Sequence, residues 1–197
     1  MSWTEIIAAC LGVVNVGLVV RRSVWNYPFG IAMVTLYGFV FFHARLYSDT
    51  ILQGYYFVVQ IFGWWYWLKG RGGDGLIRVE LMATRGRFAA IAVTLAGAAV
   101  GGWFFANYTN AAAPWLDAFI ASASVTAQYL MSIRKIENWI WWIVVDVVAI
   151  GVYCWKGLYP TTALYAIFLG LSIWGLVGWL RELRAEQETL VPEETPA

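Results

Sequence analysis

The sequence predicts an all-α integral membrane protein in which seven transmembrane helices form two parallel three-helix repeats plus one linker helix, a 3+1+3 arrangement. Three observations lead to this prediction: an apolar composition, seven apolar runs of membrane-spanning length, and a repeat within the chain. Hydrophobic residues make up 61% of the 197 residues and charged residues 13%, which is typical of proteins that reside in a lipid bilayer. The formal net charge of +1 supplies no basic surface for nucleic acid, so no nucleic-acid partner is expected.

The seven apolar runs are each close to the roughly 20 residues that a helix needs to cross the hydrocarbon core of a bilayer. They cover residues 3–20, 25–42, 50–68, 88–108, 114–133, 139–155 and 160–180. Short connections separate them, except that residues 69–87 are long enough to form a loop of their own. Residues 181–197, which are rich in Glu and contain two prolines, are predicted to form a solvated, partly disordered tail.

The Lys and Arg residues are distributed unevenly between the two sides of this predicted topology. Because seven spans place alternate loops on the same side, one side carries eleven of these residues and the other carries two. The eleven are Arg21, Arg22, Lys69, Arg71, Arg78, Arg85, Arg87, Arg134, Lys135, Arg181 and Arg184, and the two are Arg45 and Lys156. The positive-inside rule therefore predicts a cytoplasmic loop at residues 69–87, a cytoplasmic tail at residues 181–197 and an N-terminus on the outside.

The chain contains an internal repeat. When the sequence is shifted by 112 residues, residues 3–67 align without a gap on residues 115–179, with fifteen identities in 65 positions. The matched pairs include Arg22 with Arg134, Asn26 with Asn138, Gly63 with Gly175, and Trp67 with Trp179. Self-similarity of this kind indicates that one structural unit occurs twice in the chain.

The repeat groups the spans into a first triple-helix repeat at residues 3–68, a linker transmembrane helix at residues 88–108, and a second triple-helix repeat at residues 114–180. Because one helix separates the two copies, both copies have the same orientation in the membrane. Parallel repeats with a site between them are one construction of small-solute transporters. A structural or assembly protein built by duplication is the alternative interpretation.

The sixth span carries the residues that we select first for a binding site. Trp139, Trp142 and Asp146 are spaced three and then four residues apart, so they share one face of a helix. A tryptophan near the end of a span is more often an interfacial anchor. A carboxylate inside an apolar run, however, raises the free energy of the protein unless it faces a cavity or a partner. We therefore interpret this face, together with the preceding Asn138, as part of a substrate site.

A second polar face lies on the third span, where Gln53, Tyr56 and Gln60 have the same spacing. Gln128 in the fifth span and Tyr165 in the seventh span complete the candidate substrate-binding set. Buried glutamines also clamp neighbouring helices together by hydrogen bonds, and this structural alternative stays open.

The sequence predicts no catalytic residue, no metal site and no cofactor. His43 is the only histidine, so neither a histidine-based triad nor a histidine metal cluster can be assembled. The glycine-rich stretch at residues 71–75 lacks the lysine of a phosphate-binding loop. We therefore expect that the protein is not an enzyme.

Several of these motifs resemble the Pnu vitamin transporters, particularly the nicotinamide riboside transporters of the PnuC type. The similarity spans residues 3–180 and includes W-N-Y-P-F-G at residues 25–30, L-Q-G-Y-Y at residues 52–56 and G-W-W-Y-W at residues 63–67. Its most specific part is the pattern W-x-x-W-x-x-x-N/D, which Trp139, Trp142 and Asp146 satisfy. The resemblance implies a fold like that of the SWEET sugar transporters but complete within one chain, a substrate site between two triple-helix bundles, and facilitated diffusion.

The resemblance also implies a bacterial cytoplasmic (inner) membrane and a cytoplasmic kinase that traps the vitamin by phosphorylation. It leaves the oligomeric state open, and a homo-oligomer is compatible with it. Nicotinamide riboside and thiamine each contain a flat cationic ring, for which indole faces and a carboxylate are suited. Because this argument does not separate the two vitamins, the resemblance alone makes nicotinamide riboside the expected substrate, and thiamine is the alternative. Proton-coupled transport through Asp146 is the alternative to facilitated diffusion.

Overall fold

The structure is a computed structural model that describes residues 3–43, 45, 47–70 and 77–190. In this part of the chain it contains seven α-helices. They are α1 (Trp3–Val20), α2 (Asn26–His43), α3 (Tyr47–Lys69), α4 (Thr84–Tyr108), α5 (Pro114–Ser132), α6 (Asn138–Trp155) and α7 (Tyr159–Leu190). Each helix overlaps one predicted span, so the prediction of an all-α protein with seven helices is confirmed.

Three of the helices are, by length and composition, apolar enough to cross a membrane: Thr84–Tyr108, Asn138–Trp155 and Tyr159–Glu188. Ile6–Val20 within α1 is a shorter apolar stretch. Large apolar side chains are exposed on the outer surface, such as Val100 of α4, which is 70% exposed. An apolar outer surface of this kind is expected where the surroundings are lipid rather than water.

Six of the helices pack side by side into a closed ring. Along the ring the order is α1, α2, α3, α5, α6 and α7, and the contact between α1 and α7 closes it. Within the described residues α4 packs against α5 alone and so lies outside the ring. The helices α1–α3 and α5–α7 form two groups that meet at two interfaces, α1 with α7 and α3 with α5.

The ring has two ends of different character. Arg22 in the α1–α2 connection contacts Ile77 and Glu182, and Lys135 in the α5–α6 connection contacts Glu80. These contacts bring the basic connections together at one end, which we call the charged end. We call the other end, where α1 begins and α2 ends, the opposite end.

Contacts at the two interfaces recur at the spacing of the sequence repeat. The indole Nε1 of Trp67 donates a hydrogen bond to the carbonyl oxygen of Met131 at 3.2 Å, and Trp179 Nε1 donates to the carbonyl oxygen of Val19, also at 3.2 Å. Both the donors and the acceptors are repeat counterparts. Each indole hydrogen bond therefore links the group of helices that carries the tryptophan to the other group.

The same two tryptophans belong to a cluster of four buried rings near the charged end. Tyr27 meets Trp67 edge to face with ring centroids 5.4 Å apart, and Trp139 meets Trp179 edge to face, also at 5.4 Å. Trp67 and Trp179 then contact each other at 6.1 Å. We call Tyr27, Trp67, Trp139 and Trp179 the aromatic cluster.

Two glycines make room for this cluster. A Cβ atom on Gly63 would collide with Tyr27, and a Cβ atom on Gly175 would collide with the ring of Trp139. The identity of Gly63 and Gly175 in the repeat therefore has a packing reason, because only a residue without a side chain lets the rings approach the helix backbone.

The positive φ angles also fall in repeat pairs. Arg22 and Arg134, which follow the ends of α1 and α5, have φ values of 55° and 63°, while Arg45 and Gly157 have values of 60° and 73°. Left-handed residues at these positions turn the chain sharply after a helix ends. Equivalent positions in the two groups thus have the same left-handed backbone at these four residues.

Two expectations about the connections need correction. The chain from residue 181 on was expected to be a partly disordered tail, but α7 continues to Leu190, and residues 191–197 lie outside the described residues. Strong helix formers favour the extension, Leu183 packs against the core near the aromatic cluster, and Glu182 pairs with Arg22 at 3.0 Å.

The second correction concerns the loop expected at residues 69–87. Residues 71–76 lie outside the described residues, and α4 already begins at Thr84, before the predicted start at residue 88. Between them, Ile77 and Val79 are only 1% and 2% exposed. This part of the connection is therefore packed into the charged end.

Candidate binding site in the helix ring

A cavity of about 520 Å³ lies inside the ring, and all six ring helices contribute to its wall. It extends from Phe41 and Thr161 near the opposite end to Val19 and Met131, where it meets the aromatic cluster before the charged end. Its volume is within the range of roughly 300–1,000 Å³ that pockets for small organic ligands occupy.

Eight of the nine residues that the sequence selects line this one cavity. They come from α3, α5, α6 and α7 and are Gln53, Tyr56, Gln60, Gln128, Trp139, Trp142, Asp146 and Tyr165. The helical spacing that selected them does place them on inward faces. The structure thus brings together residues that are more than one hundred positions apart in the chain.

Asn138, the ninth selected residue, lies outside the cavity wall. Its side-chain Nδ2 donates a hydrogen bond to the carbonyl oxygen of Lys135 at 2.6 Å. The repeat counterpart Asn26 makes the same bond to the carbonyl oxygen of Ser23 at 2.7 Å. A contact that recurs in both copies closes the turn before α6 and before α2, so its role here is to shape the connection.

Asp146 projects from α6 into the cavity wall and is 2% exposed. Ser172 of α7 donates a hydrogen bond from its Oγ to Asp146 Oδ2 at 3.0 Å. Among the described residues that line the cavity there is no Lys, Arg or His. A carboxylate in such surroundings favours a ligand that brings a positive charge or hydrogen-bond donors, because these compensate the lost hydration of the carboxylate.

Two of the four tryptophans of α6, Trp139 and Trp142, line the cavity, and they differ in how deeply each is buried. Trp139 is 1% exposed, since its ring is fitted against Gly175 and Trp179. Trp142 also lines the cavity but is only half-buried. Trp142 is therefore the better surface for stacking a flat ligand, while Trp139 forms the boundary between the cavity and the aromatic cluster.

Amide side chains form another part of the wall. Gln60 and Gln128 are 2% and 6% exposed, and Asn15, at 5%, donates a hydrogen bond from Nδ2 to the carbonyl oxygen of Asn26 at 2.6 Å. Gln60 Oε1 and Gln128 Nε2 have no hydrogen-bond partner in the part of the chain that the structure describes. Buried polar atoms without a partner cost about 1–3 kcal/mol each, so this wall favours a polar occupant.

The two halves of the cavity are chemically different although they derive from equivalent positions. The counterparts of Trp142 and Asp146 in the first copy are Gly30 and Val34. A Cβ atom on Gly30 would collide with the amide of Gln60, so this glycine leaves room for the glutamine. One half is thus aromatic and acidic, and the other carries amides, which suits a ligand that has two unlike ends.

Some lining residues were not selected from the sequence. Ser172 and Ser124 line the wall, the former as the partner of Asp146 and the latter as the partner of the Tyr56 hydroxyl. Single serines are too common in membrane helices to be distinctive. The repeat contained a usable signal, because Ser172 occupies the position that corresponds to Gln60.

A partly polar cavity inside a helix ring with an apolar outer surface is the arrangement of a membrane transporter for small solutes. A family model described as nicotinamide mononucleotide transporter matches residues 2–181. The chain belongs to this family and is therefore a multi-pass membrane protein. The resemblance to the Pnu transporters that the sequence indicates is confirmed.

Several characterised relatives are similar over most of their length. The nicotinamide riboside transporter PnuC of Escherichia coli (strain K12) is 24% identical over 93% of this chain and 87% of its own length. The PnuC of Neisseria mucosa is 28% identical over 91% of this chain and 73% of its own length. The riboflavin/roseoflavin transporter RibM of Streptomyces davaonensis is 27% identical over 99% of this chain and 92% of its own length.

The fold is also similar to that of a solved structure, the crystal structure of the vitamin B3 transporter PnuC. The two superpose with a TM-score of 0.77 at 26% sequence identity, covering 93% of this chain and 83% of the other. The all-helical architecture described above is therefore that of a known vitamin transporter.

Proposed function

We propose that the protein transports nicotinamide riboside across the bacterial cytoplasmic membrane by facilitated diffusion. The observation that carries this proposal is Asp146, which lies beside Trp142 in a cavity whose described lining residues include no basic side chain. The names of the PnuC relatives of Escherichia coli and Neisseria mucosa support the same substrate.

The chemistry of nicotinamide riboside matches this wall. Its pyridinium ring is flat and permanently cationic, so it stacks on Trp142 while its charge lies near Asp146. The ribose hydroxyls and the carboxamide then face the amides of Gln60 and Gln128. One indole contact of this kind contributes about 1–3 kcal/mol, by analogy with the stacking of bases on aromatic side chains.

The same cavity disfavours the phosphorylated mononucleotide. A phosphate adds about two negative charges at neutral pH, which the Asp146 carboxylate repels and which no described lining residue neutralises. This difference in affinity between the vitamin and its phosphorylated form supports metabolic trapping, in which a cytoplasmic kinase phosphorylates the vitamin and so prevents its return. Net uptake then needs no ion gradient.

Thiamine is the alternative substrate because its thiazolium ring is also flat and cationic, and the aromatic, acidic half of the cavity accommodates both rings. Riboflavin, the substrate named for RibM, is neutral and gains less from Asp146. The other alternative is coupling to protons through Asp146, the one acidic residue among the described lining residues.

We further propose the 3+1+3 organisation, with a first repeat at residues 3–68, α4 as the linker and a second repeat at residues 114–180. The contacts that recur at a spacing of 112 residues support it. The charged end is proposed to face the cytoplasm, since eleven of the thirteen Lys and Arg residues fall on that side of the topology.

The decisive experiment is isothermal calorimetry on purified protein with nicotinamide riboside, thiamine, riboflavin and nicotinamide mononucleotide. Nicotinamide riboside is expected to bind most tightly, and the mononucleotide at least about tenfold more weakly because of its charge. Tighter binding of thiamine would assign the protein to that vitamin. Tighter binding of riboflavin or of the mononucleotide would contradict the role given to Asp146.

Transport is measured with labelled vitamin in sealed liposomes. The vitamin is expected to reach equal concentrations inside and outside, and to accumulate only when kinase and ATP are enclosed. Accumulation driven by a proton or sodium gradient without kinase would contradict facilitated diffusion.

A further inference from the structure

The charged end of the ring is filled by a segment that has no counterpart in the other repeat. Ile77 and Val79, in the connection between α3 and α4, belong to the same buried cluster as the four rings of the aromatic cluster. They are 1% and 2% exposed. We call residues 77–82 the strap, because this segment crosses the charged end next to the rings at which the cavity stops.

The strap is bound to the α5–α6 connection through its backbone. Glu80 N donates a hydrogen bond to the carbonyl oxygen of Arg134 at 3.1 Å, and Ile136 N donates to the carbonyl oxygen of Glu80 at 3.0 Å. Lys135 Nζ also lies 2.6 Å from Glu80 Oε2, and its hydrogen bond lowers the pKa of the Glu80 carboxyl group. This half of the strap is therefore fixed to the second group of helices, α5–α7.

A buried carboxylate adds a second anchor to the same group. The side chain of Glu137 is 9% exposed and accepts hydrogen bonds from Met82 N at 3.0 Å and from Arg87 at 2.8 Å. Charge-assisted hydrogen bonds of this length are stronger than neutral ones, and a buried carboxylate deprived of them is strongly disfavoured. The strap is thus bound to α5–α7 at both Glu80 and Met82.

Besides the apolar packing of Ile77 and Val79 in this cluster, the polar contact between the strap and the first group of helices, α1–α3, runs through Arg22. Its Nη1 donates to the carbonyl oxygen of Ile77 at 3.3 Å, and its Nη2 lies 3.0 Å from Glu182 of α7. The repeat counterpart Arg134 donates in the same way to the carbonyl oxygen of Gly70 at the end of α3, at 3.1 Å. Each arginine therefore spans the two groups at the charged end.

We propose that the strap is the plug of a gate at the charged end, that it moves together with α5–α7, and that Arg22 is the latch that holds the gate closed. A ligand leaves at this end only when the two groups separate. The anchors at Glu80 and Glu137 lie within one moving body and persist. The contacts that join the two groups must break, namely those of Arg22 with Ile77 and Glu182, that of Arg134 with Gly70, and the indole hydrogen bonds of Trp67 and Trp179. This inference rests on the proposed transport function.

The test measures how fast a cavity cysteine is labelled from each side of the membrane, without any vitamin present. The reporter is Ser124→Cys, a lining position, in a chain whose two free cysteines are replaced by Cys10→Ala and Cys154→Ala. An impermeant maleimide is added to vesicles at the charged side or at the opposite side. Because no vitamin is used, the result is independent of the calorimetric test of the proposed function.

In this background the reporter cysteine of the Arg22→Ala variant is expected to be labelled about fivefold faster from the charged side and more slowly from the opposite side. Both changes are required if the variant shifts the equilibrium from the closed to the open state of the gate at the charged end. Lys135→Ala is the matched control. It also removes one positive charge and one ion pair at the charged end. The contact that it breaks, however, joins the strap to α5–α7, the group with which the strap is proposed to move. Its labelling is expected to stay within about twofold of the reference from both sides.

Three results would overturn the proposal. An unchanged rate in Arg22→Ala would show that Arg22 does not hold the gate. Faster labelling from both sides would show general loosening instead of gating. An equal effect of Lys135→Ala would show that the strap does not move with α5–α7. Arg22→Gln, which keeps a hydrogen-bond donor, repeats the measurement if the alanine variant is too unstable to purify.

Discussion

Trp67 and Trp179 contact each other with ring centroids 6.1 Å apart, although each is the counterpart of the other in the sequence repeat. Each indole Nε1 also donates a hydrogen bond across the interface between the two groups of helices. Trp67 and Trp179 therefore make equivalent hydrogen bonds, one at each of the two interfaces. A change at either position should have nearly the same effect on stability.

We expect Trp67→Phe and Trp179→Phe to lower the free energy of unfolding by similar amounts, about 1 kcal/mol or more each, because each loses one buried hydrogen bond. Thermal unfolding of the purified variants in detergent measures this. Trp65→Phe, at a residue that is 51% exposed, is the control. Clearly unequal losses in the two variants would contradict the equivalence.

Trp142→Ala is expected to weaken binding of nicotinamide riboside at least about tenfold, because it removes a ring that lines the cavity. Trp139→Ala is expected to lower thermal stability as well, since that ring is packed in the aromatic cluster. Calorimetry and thermal unfolding on both variants separate the two roles. Trp103→Ala, on the exposed side of α4, serves as control, and unchanged affinity in Trp142→Ala would contradict the site.

Asp146→Asn is expected to bind with modest loss, because the amide keeps a hydrogen-bond acceptor for Ser172 and the related family pattern accepts Asn at this position. Asp146→Leu is expected not to bind. Both are compared by calorimetry and by vitamin uptake into liposomes. Retained binding with lost transport in Asp146→Asn would instead indicate that the carboxylate carries a proton.

Gly175→Ala is expected to destabilise the fold by about 1–3 kcal/mol, since the added methyl group collides with Trp139. Gly178→Ala, three residues further along α7, is the matched control because a Cβ atom there meets nothing within 4 Å. The control is expected to be neutral or slightly stabilising, as alanine favours helix over glycine. Equal unfolding temperatures for the two variants would contradict the packing argument.

A reporter that fluoresces only in the cytoplasm, fused after Ala197, is expected to be bright in cells. The reason is the excess of Lys and Arg on the side of the charged end. Fluorescence per molecule, normalised to the amount of fusion protein in the membrane, is the measurement. A dark fusion at normal expression would reverse the proposed orientation.

The sequence predicted the helices and most of the cavity because both depend on local periodicity. Gln53, Tyr56 and Gln60 share a helical face wherever that helix lies, and Asp146 is conspicuous in an apolar run. The role of Asn138 was not predictable in this way, because its hydrogen bond to the carbonyl oxygen of Lys135 depends on the backbone of the turn rather than on residue type. The different roles of Trp139 and Trp142 depend on Gly175, which is distant in the chain and against which the Trp139 ring packs.

The strap escaped prediction for a related reason. Ile77 and Val79 stand in a short stretch between glycines and charged residues, and their burial depends on rings contributed by four other parts of the chain. The extension of α7 to Leu190 was missed because glutamates and prolines suggested a solvated tail. Contacts of Glu182 and Leu183 with the charged end favour the helix instead.

α4 lies outside the ring, so it can join the two groups of helices without lining the cavity. This has a consequence for the number of charged side chains in the cavity. A symmetric dimer of two three-helix chains would place its cavity on the twofold axis, so every lining side chain would be present twice. A carboxylate would then face its own copy across the cavity, and the two charges would repel each other. In the proposed 3+1+3 organisation both copies belong to one chain, which removes that constraint, so the position of Asp146 in one copy can be an apolar Val34 in the other.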